Sequence, residues 1–413
     1  MAVSVIQGSP KHRGYLIGSW AVASIVLLTL PFVRLPAVFG NPTAQILNWN
    51  RVLAYAVAIL GLNLLIGYSG QISIGHSAFV GVGAYTTAIT VADHHWSYFS
   101  ALPLAFVLSF VVGCVVGLPA LRIKGLYLVV VTFAIAIAFP TVVLRYTSLT
   151  GGSNGKNVAS ALVPPSWTPF DARDRIAPDR YRYFVLLAVA VVMFVLARNV
   201  VRSRIGRALI AQRDNPTAAT ISGVSVPLNK VLMFGISAGF CGVAGWMLIV
   251  NLRFASDVGY SAQLGIALII GLVMGGAATV SGAVPGAVLV VVLNYMLEQL
   301  TEHEKLGPIG MHWLSVRAGK GGIVSIAFGS LLLLFVFVLP GGVIEGIRRL
   351  RARVVRVVPR PSWLDDVRPQ LPVAAPVPAG AMTSSLPTPS IVSVHQAATG
   401  SRSEPTNPGG LTT

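Results

Sequence analysis

Residues 100–118, "SALPLAFVLSFVVGCVVGL", contain no charged side chain. In a bilayer core such a run has one solution. Every backbone N–H and C=O must be satisfied within the segment, and a helix does that. A crossing takes about 20 mostly apolar residues. Comparable runs lie at 15–33, 44–66, 71–92, 121–144, 183–201, 229–250, 264–280, 282–300 and 321–339. Several are short or broken by glycine, so they give roughly ten spans. The chain is 54% hydrophobic and 10% charged, against roughly 25% charged in soluble domains. The expected fold is an all-α polytopic membrane protein with roughly ten transmembrane or broken helices. A secretory signal is the rival reading of the first run. That run is longer than a signal's apolar region, and no small-residue cleavage site follows it.

The net charge of +17 could suggest nucleic acid, but the basic residues sit between apolar runs. An even number of spans leaves both termini on one side. If that side is the cytoplasm, its segments hold Lys11, Arg13, Arg122, Lys124, Arg202, Arg204, Arg207, Arg213 and the arginines from Arg348 to Arg356, with Asp214 and Glu345 as their acids. The other side holds Asp93, Asp171, Asp174, Asp179, Asp257, Glu302 and Glu304, mixed with bases. This is the positive-inside asymmetry, so both termini are expected to be cytoplasmic. Trp49, Trp96 and Trp246 fall near the outer interface and Trp20 near the inner one, as aromatic anchors should. Cys114 and Cys241 both lie inside apolar runs and read as packing residues.

Three regions follow. Residues 1–14 form a cytoplasmic N-terminus. Residues 15–340 form the transmembrane domain, with a long outer loop at 145–182 and a cytoplasmic loop at 202–228. Residues 341–413 are first basic and then rich in Pro, Ser and Thr, with few large apolar residues, which reads as a disordered cytoplasmic tail.

The cytoplasmic loop contains "SRIGRALIAQRDNPTAATISGVSV", 203–226. Ile205, Ala208 and Leu209 are spaced to share one helix face. Asn215 then suits an N-cap and Pro216 a first helical position. Gly223 can end the second helix. From the residues alone, this helix–break–helix is either a basic membrane-surface loop or a docking element for a cytoplasmic partner.

Upstream, "GLNLLIGYSGQISIGHSAFVGVGAYTTA" (61–88) sets Asn63, Gln71, Ser73, His76 and Ser77 among glycines in an apolar segment. Polar groups there face either a cavity or another helix. Broken helices can aim dipoles at a midplane substrate; close packing through small residues is the alternative. For His76 by itself, a packed and hydrogen-bonded ring is the expected state. "IGLVMGGAATVSGAVPGAVL" (270–289) is a candidate counterpart in the second half. "GGSNGK" is not a phosphate loop, because Thr150 stands at the required first glycine and Asn157 follows the lysine. The zinc motif H-E-x-x-H is also missing from the sequence, and no cofactor or metal is expected on this chain.

Stretch 203–226 resembles the coupling loop of permeases in branched-chain amino acid ABC importers. That loop reads roughly S-x-x-G-R-A-L-x-A-x-R-[ED]-N. Segments 61–88, "LRIKGLYLVVVTFAIA" (121–136), "TGGSNG" (150–155) and 270–289 are similar to the family's other signatures. The resemblance covers about residues 15–350 and is to the longer, LivM-type half of the permease pair. It implies an importer subunit for leucine, isoleucine and valine in a bacterial plasma membrane. It also implies a second permease subunit, two cytoplasmic ATPase subunits that hold ATP and magnesium, and an extracytoplasmic binding protein. The residues it assigns to ATPase coupling are Ser203, Arg204, Gly206, Arg207, Ala208, Arg213, Asp214, Asn215 and Gly223. Asn63, Gln71, Ser73, His76 and Ser77 are the substrate-pathway candidates. A urea or short-amide permease of the same superfamily is the nearest alternative. An ATPase-independent secondary transporter is a more distant one, and would call for an ionisable relay residue at mid-span.

Overall fold

A computed structural model describes residues 3–6, 25, 27–33, 42–121, 125–165, 176–303, 305–306, 309–310, 330, 342–346, 349 and 355–358. Ten helices set the architecture of these residues: α1 (Pro42–Asn63), α2 (His76–Ala92), α3 (Tyr98–Gly117), α4 (Leu126–Arg145), α5 (Ala177–Arg202), α6 (Arg204–Asp214), α7 (Pro216–Ile221), α8 (Val226–Leu252), α9 (Ala262–Gly275) and α10 (Ala283–His303). Six helical segments among the described residues are long and apolar enough to cross a membrane. The chain is an all-α polytopic membrane protein. The spans expected at 15–33 and 321–339, Trp20, and the tail from 360 onward lie wholly or mostly outside the described residues.

α8 is the axis of the bundle. It packs against α3, α2 and α1 and is buried from Met233 to Asn251 apart from Ile236. A helix apolar on all sides belongs in the interior. Glycine lets its neighbours approach to backbone contact. A Cβ on Gly83 of α2 would lie 2.1 Å from the Gly242 carbonyl oxygen, and one on Gly245 would lie 2.1 Å from that of Val80. α3, α4 and α5 form the outer wall. Val107, Val111 and Val115 of α3, Val130 and Ile137 of α4, and Val191 and Val195 of α5 are exposed. Apolar side chains pointing outward are what a bilayer requires.

Several expectations shift. The run 71–92 is not continuous helix: 71–75 is irregular and α2 starts only at His76. The run 264–280 stops at Gly275, because Gly276 at φ 111 and Ala278 at φ 58 cannot continue a right-handed helix. α5 begins at Ala177, earlier than its apolar run, with a proline in its first turn and Asp179 pairing with Arg182 at 2.7 Å. Trp246 is no interfacial anchor. It is fully buried, and its indole N–H donates to the Tyr98 carbonyl at 2.7 Å. Trp96 is exposed.

Contacts sort the loops into two ends. At one end Lys156 pairs with Asp93 at 2.7 Å, and the short strand Lys156–Asn157 runs antiparallel to Phe254–Ala255. At the other, the segment after α1 meets α6 and the start of α8. Asn157 and Ser222 are exposed at these opposite ends. Cysteines placed there, in a background lacking Cys114 and Cys241, should therefore react with an impermeant thiol reagent from opposite faces of the membrane, Asn157 from outside. Labelling of both from one face would overturn the topology.

Candidate functional site

The loop at 203–226 folds as two short helices joined at a fixed corner. Ser203 caps α6 by accepting from the Gly206 N–H at 3.4 Å, and Asn215 caps α7 by accepting from the Ala218 N–H at 3.0 Å. Pro216 opens α7, and Gly223 at φ 82 closes it. Caps of this kind satisfy donors that a helix start leaves orphaned.

The buried stripe of α6 is Gly206, Leu209 and Gln212. The sequence expectation placed Ile205 with Leu209, but Ile205 is exposed and Ala208 half-buried. Spacing of three selects the true stripe. Gly206 is occupied from within. A Cβ there would meet the carbonyl oxygens of Val201 at 2.1 Å and Val200 at 2.5 Å. The missing side chain admits the end of α5, so the space is closed to any partner.

Arg213 also turns inward. One guanidinium nitrogen donates to the Gly67 carbonyl at 2.7 Å, and its Nε donates to Asp214 at 3.0 Å. Gly70, at φ 73, lies beneath the Arg213 stem. Gln212 and Gln71 both donate to the Ser69 hydroxyl, at 3.2 and 2.6 Å. The polar inner side of α6 is thus stitched to the segment 67–71, which begins in the last residues of the π-helical turn Leu64–Tyr68. Arg207 bends back to the Arg202 carbonyl at 3.1 Å. Arg204, Arg207, Asp214 and Ile221 are left on the outward surface.

The polar residues of 61–88 separate into distinct settings. Ser73, His76 and Ser237 form a buried chain: Ser73 Oγ to His76 Nδ1 is 3.0 Å, and His76 Nε2 to Ser237 Oγ is 2.7 Å. Ser237 donates onward to the Gly61 carbonyl at 2.7 Å. With that proton committed, Ser237 accepts from the His76 Nε2–H. Asn63 lies elsewhere. Its amide nitrogen donates to the Thr279 carbonyl at 2.8 Å, and its oxygen accepts from the Ala278 N–H at 2.9 Å. Asn63 thus satisfies the backbone where α9 breaks, and it joins the two glycine-rich segments the sequence singled out. Ser77 is fully buried beside Gly265. Gln71 belongs to the α6 junction.

Beyond the break, Gly271 and Gly275 of α9 face Gly282 and Gly286. A Cβ on Gly275 would lie 2.0 Å from the Gly282 carbonyl oxygen, and one on Gly286 would lie 2.0 Å from that of Gly271. Each pair is spaced as G-x-x-x-G, which allows close helix approach.

The chain matches the family described as "Branched-chain amino acid transport system / permease component" over residues 45–339. This span takes in every helix above except the first turn of α1. The chain belongs to this family. Among relatives of this permease, the high-affinity branched-chain amino acid transport system permease protein LivM of Salmonella typhimurium is 28% identical over 74% of this chain and 76% of its own length. LivM of Escherichia coli is 27% identical over 68% of this chain and 70% of its own. The galactose/methyl galactoside import permease protein MglC of Escherichia coli is 26% identical over 74% of this chain and 93% of its own. No solved structure matches the chain.

Sequence reasoning missed Gln212, Ser69 and Ser237. Gln212 was available from the 206/209/212 spacing. Ser69 and Ser237 are defined only by partners distant in sequence.

Proposed function

We propose that this permease is the LivM-like half of an ATP-binding cassette importer in a bacterial plasma membrane, carrying leucine, isoleucine and valine inward. A second permease subunit completes the pathway. Two cytoplasmic ATPase subunits bind and hydrolyse magnesium–ATP, and an extracytoplasmic binding protein delivers the substrate. The observation that carries this reading is the α6–α7 corner. Its outer surface is free and polar, while its inner surface is bonded to the segment 67–71 at the foot of α1. Force applied to such a corner moves α1 and the start of α2 instead of bending a loose loop. Ser203, Gly206 and Asn215 fix its shape. Arg213 transmits to Gly67. Arg204, Arg207, Asp214 and Ile221 remain outside for the ATPase.

The similarity to LivM proteins supports amino acids as cargo, and a relative named for galactose makes a sugar the reading to test against. The complex, reconstituted in proteoliposomes with its partner permease, ATPases and binding protein, should accumulate labelled leucine only with ATP inside the ATPase compartment. Unlabelled isoleucine and valine should compete, and galactose and urea should not. Accumulation of galactose or urea in place of leucine would overturn the substrate. Accumulation without ATP would overturn the importer class.

A further inference from the structure

We propose that a cavity in the outer half of the bundle is a carboxylate-binding station for the amino acid in transit, with Arg51 holding the α-carboxylate. The proposal rests on the amino acid reading above. The cavity has a volume of about 290 Å³ and lies between α1, the segment entering α9, and α10. That is the small end of the roughly 300–1,000 Å³ typical of ligand pockets, and it suits a metabolite of amino acid size.

Arg51 stands inside a membrane-crossing helix. It is eight residues past Thr43 in the segment Thr43–Tyr68, roughly 12 Å along the helix axis. A cation within a crossing segment is expensive, and the usual compensation is an acidic partner. Among the described residues no carboxylate pairs with it. Its side chain makes a long 3.4 Å contact to the Asn48 amide oxygen and is half-buried. It is also the one formal charge among the described lining residues. Among the described residues the site therefore carries a positive charge with no acidic partner, which is the state expected of a group whose anion arrives with the cargo. Guanidinium and carboxylate match in a two-pronged geometry.

The rest of the lining fits the rest of the cargo. Gln263 and Asn294 bring amide oxygens that can accept from an ammonium. Leu264, Ala267 and Val291 supply an apolar wall for a branched side chain. A neutral sugar would have no use for the unpaired cation. Asn63, Gln71, Ser73, His76 and Ser77 do not line this cavity, so the station is separate from the polar groups that tie the helices together.

The test uses the assembled importer in proteoliposomes with labelled leucine. Arg51→Gln should lower uptake by roughly tenfold or more, the loss expected when a charge-assisted hydrogen bond is removed. Arg51→Lys should recover part of it, because the charge survives while the fork is lost. Both variants should copurify with the partner permease. Both should also keep the ATPase stimulation given by unloaded binding protein, with Arg51→Gln losing the increment that leucine adds. Ala267→Leu, which narrows the cavity without changing its charge, should lower leucine uptake as well. Unchanged uptake by Arg51→Gln, while the wild type imports leucine, would overturn the station and leave the amino acid reading standing. Failure of the wild type to import leucine would overturn the amino acid reading itself. Loss of the partner permease on Arg51→Gln would assign the guanidinium to a partner carboxylate. Uptake that varies with anionic lipid content in the wild type and not in Arg51→Gln would assign it to a lipid phosphate. Either assignment overturns the proposal.

Discussion

Gly206→Ala should sharply lower transport while leaving the membrane bundle folded. A methyl group at this position would lie 2.1 Å from the Val201 carbonyl oxygen and 2.5 Å from that of Val200. These are backbone atoms of α5 and cannot rotate away, so the α5–α6 corner must open. Leu209, Gln212 and Arg213 follow the corner, and the bonds from Arg213 to Gly67 and from Gln212 to Ser69 break. Coupling between sites is typically worth about 1–3 kcal/mol, so abolishing it costs roughly 5- to 150-fold. Leucine uptake and substrate-stimulated ATP hydrolysis should fall together by that range, with permease yield and binding-protein docking kept. Gly223→Ala is the contrast. Gly223 has a left-handed backbone, but nothing lies within 4 Å of its would-be Cβ. Its cost is the conformational preference alone, about 1–2 kcal/mol of local strain, and uptake should largely survive. Full transport by Gly206→Ala would mean that the corner carries no signal.

Gly83→Val should have the larger effect on stability. The Gly83 Cβ position lies 2.1 Å from the Gly242 carbonyl oxygen and 2.4 Å from its Cα. Valine there would force α2 from α8 along a buried seam of the bundle. The neighbouring contact of Gly245 with the Val80 carbonyl would be lost with it. Overpacking typically costs about 1–3 kcal/mol, and rigid backbone on both sides places this case at or above the top of that range. The detergent-solubilised permease should lose its monodisperse peak at a clearly lower temperature than the wild type. Val111→Leu, on the exposed face of α3, should not shift it. An unchanged melting profile for Gly83→Val would show that the α2–α8 seam is not close-packed.

Hydropathy alone fixed the fold class, the existence of most spans, and the alternation of loops between two ends. The reason is local: a bilayer leaves an apolar segment no hydrogen-bonding partner but itself. Capping was legible on the same ground. Asn215, Pro216 and Gly223 act within one turn of their own positions, and each stands where the sequence placed it. Periodicity located α6 but misjudged its buried side by one residue, because Ile205 and Gly206 differ in hydrophobicity in the direction opposite to their burial. What a polar residue does inside the bundle was not legible. Asn63 meets Ala278 and Thr279, Ser237 meets His76, and Arg213 meets Gly67, each across at least 146 residues of sequence. Trp246 reads as an interfacial anchor until α3 is seen to cover it. Arg51 passes unnoticed within an apolar run until the cavity beside it is seen. A side chain's type and depth follow from sequence; which group stands opposite depends on the packing of helices far apart in the chain, and only the tertiary structure decides that.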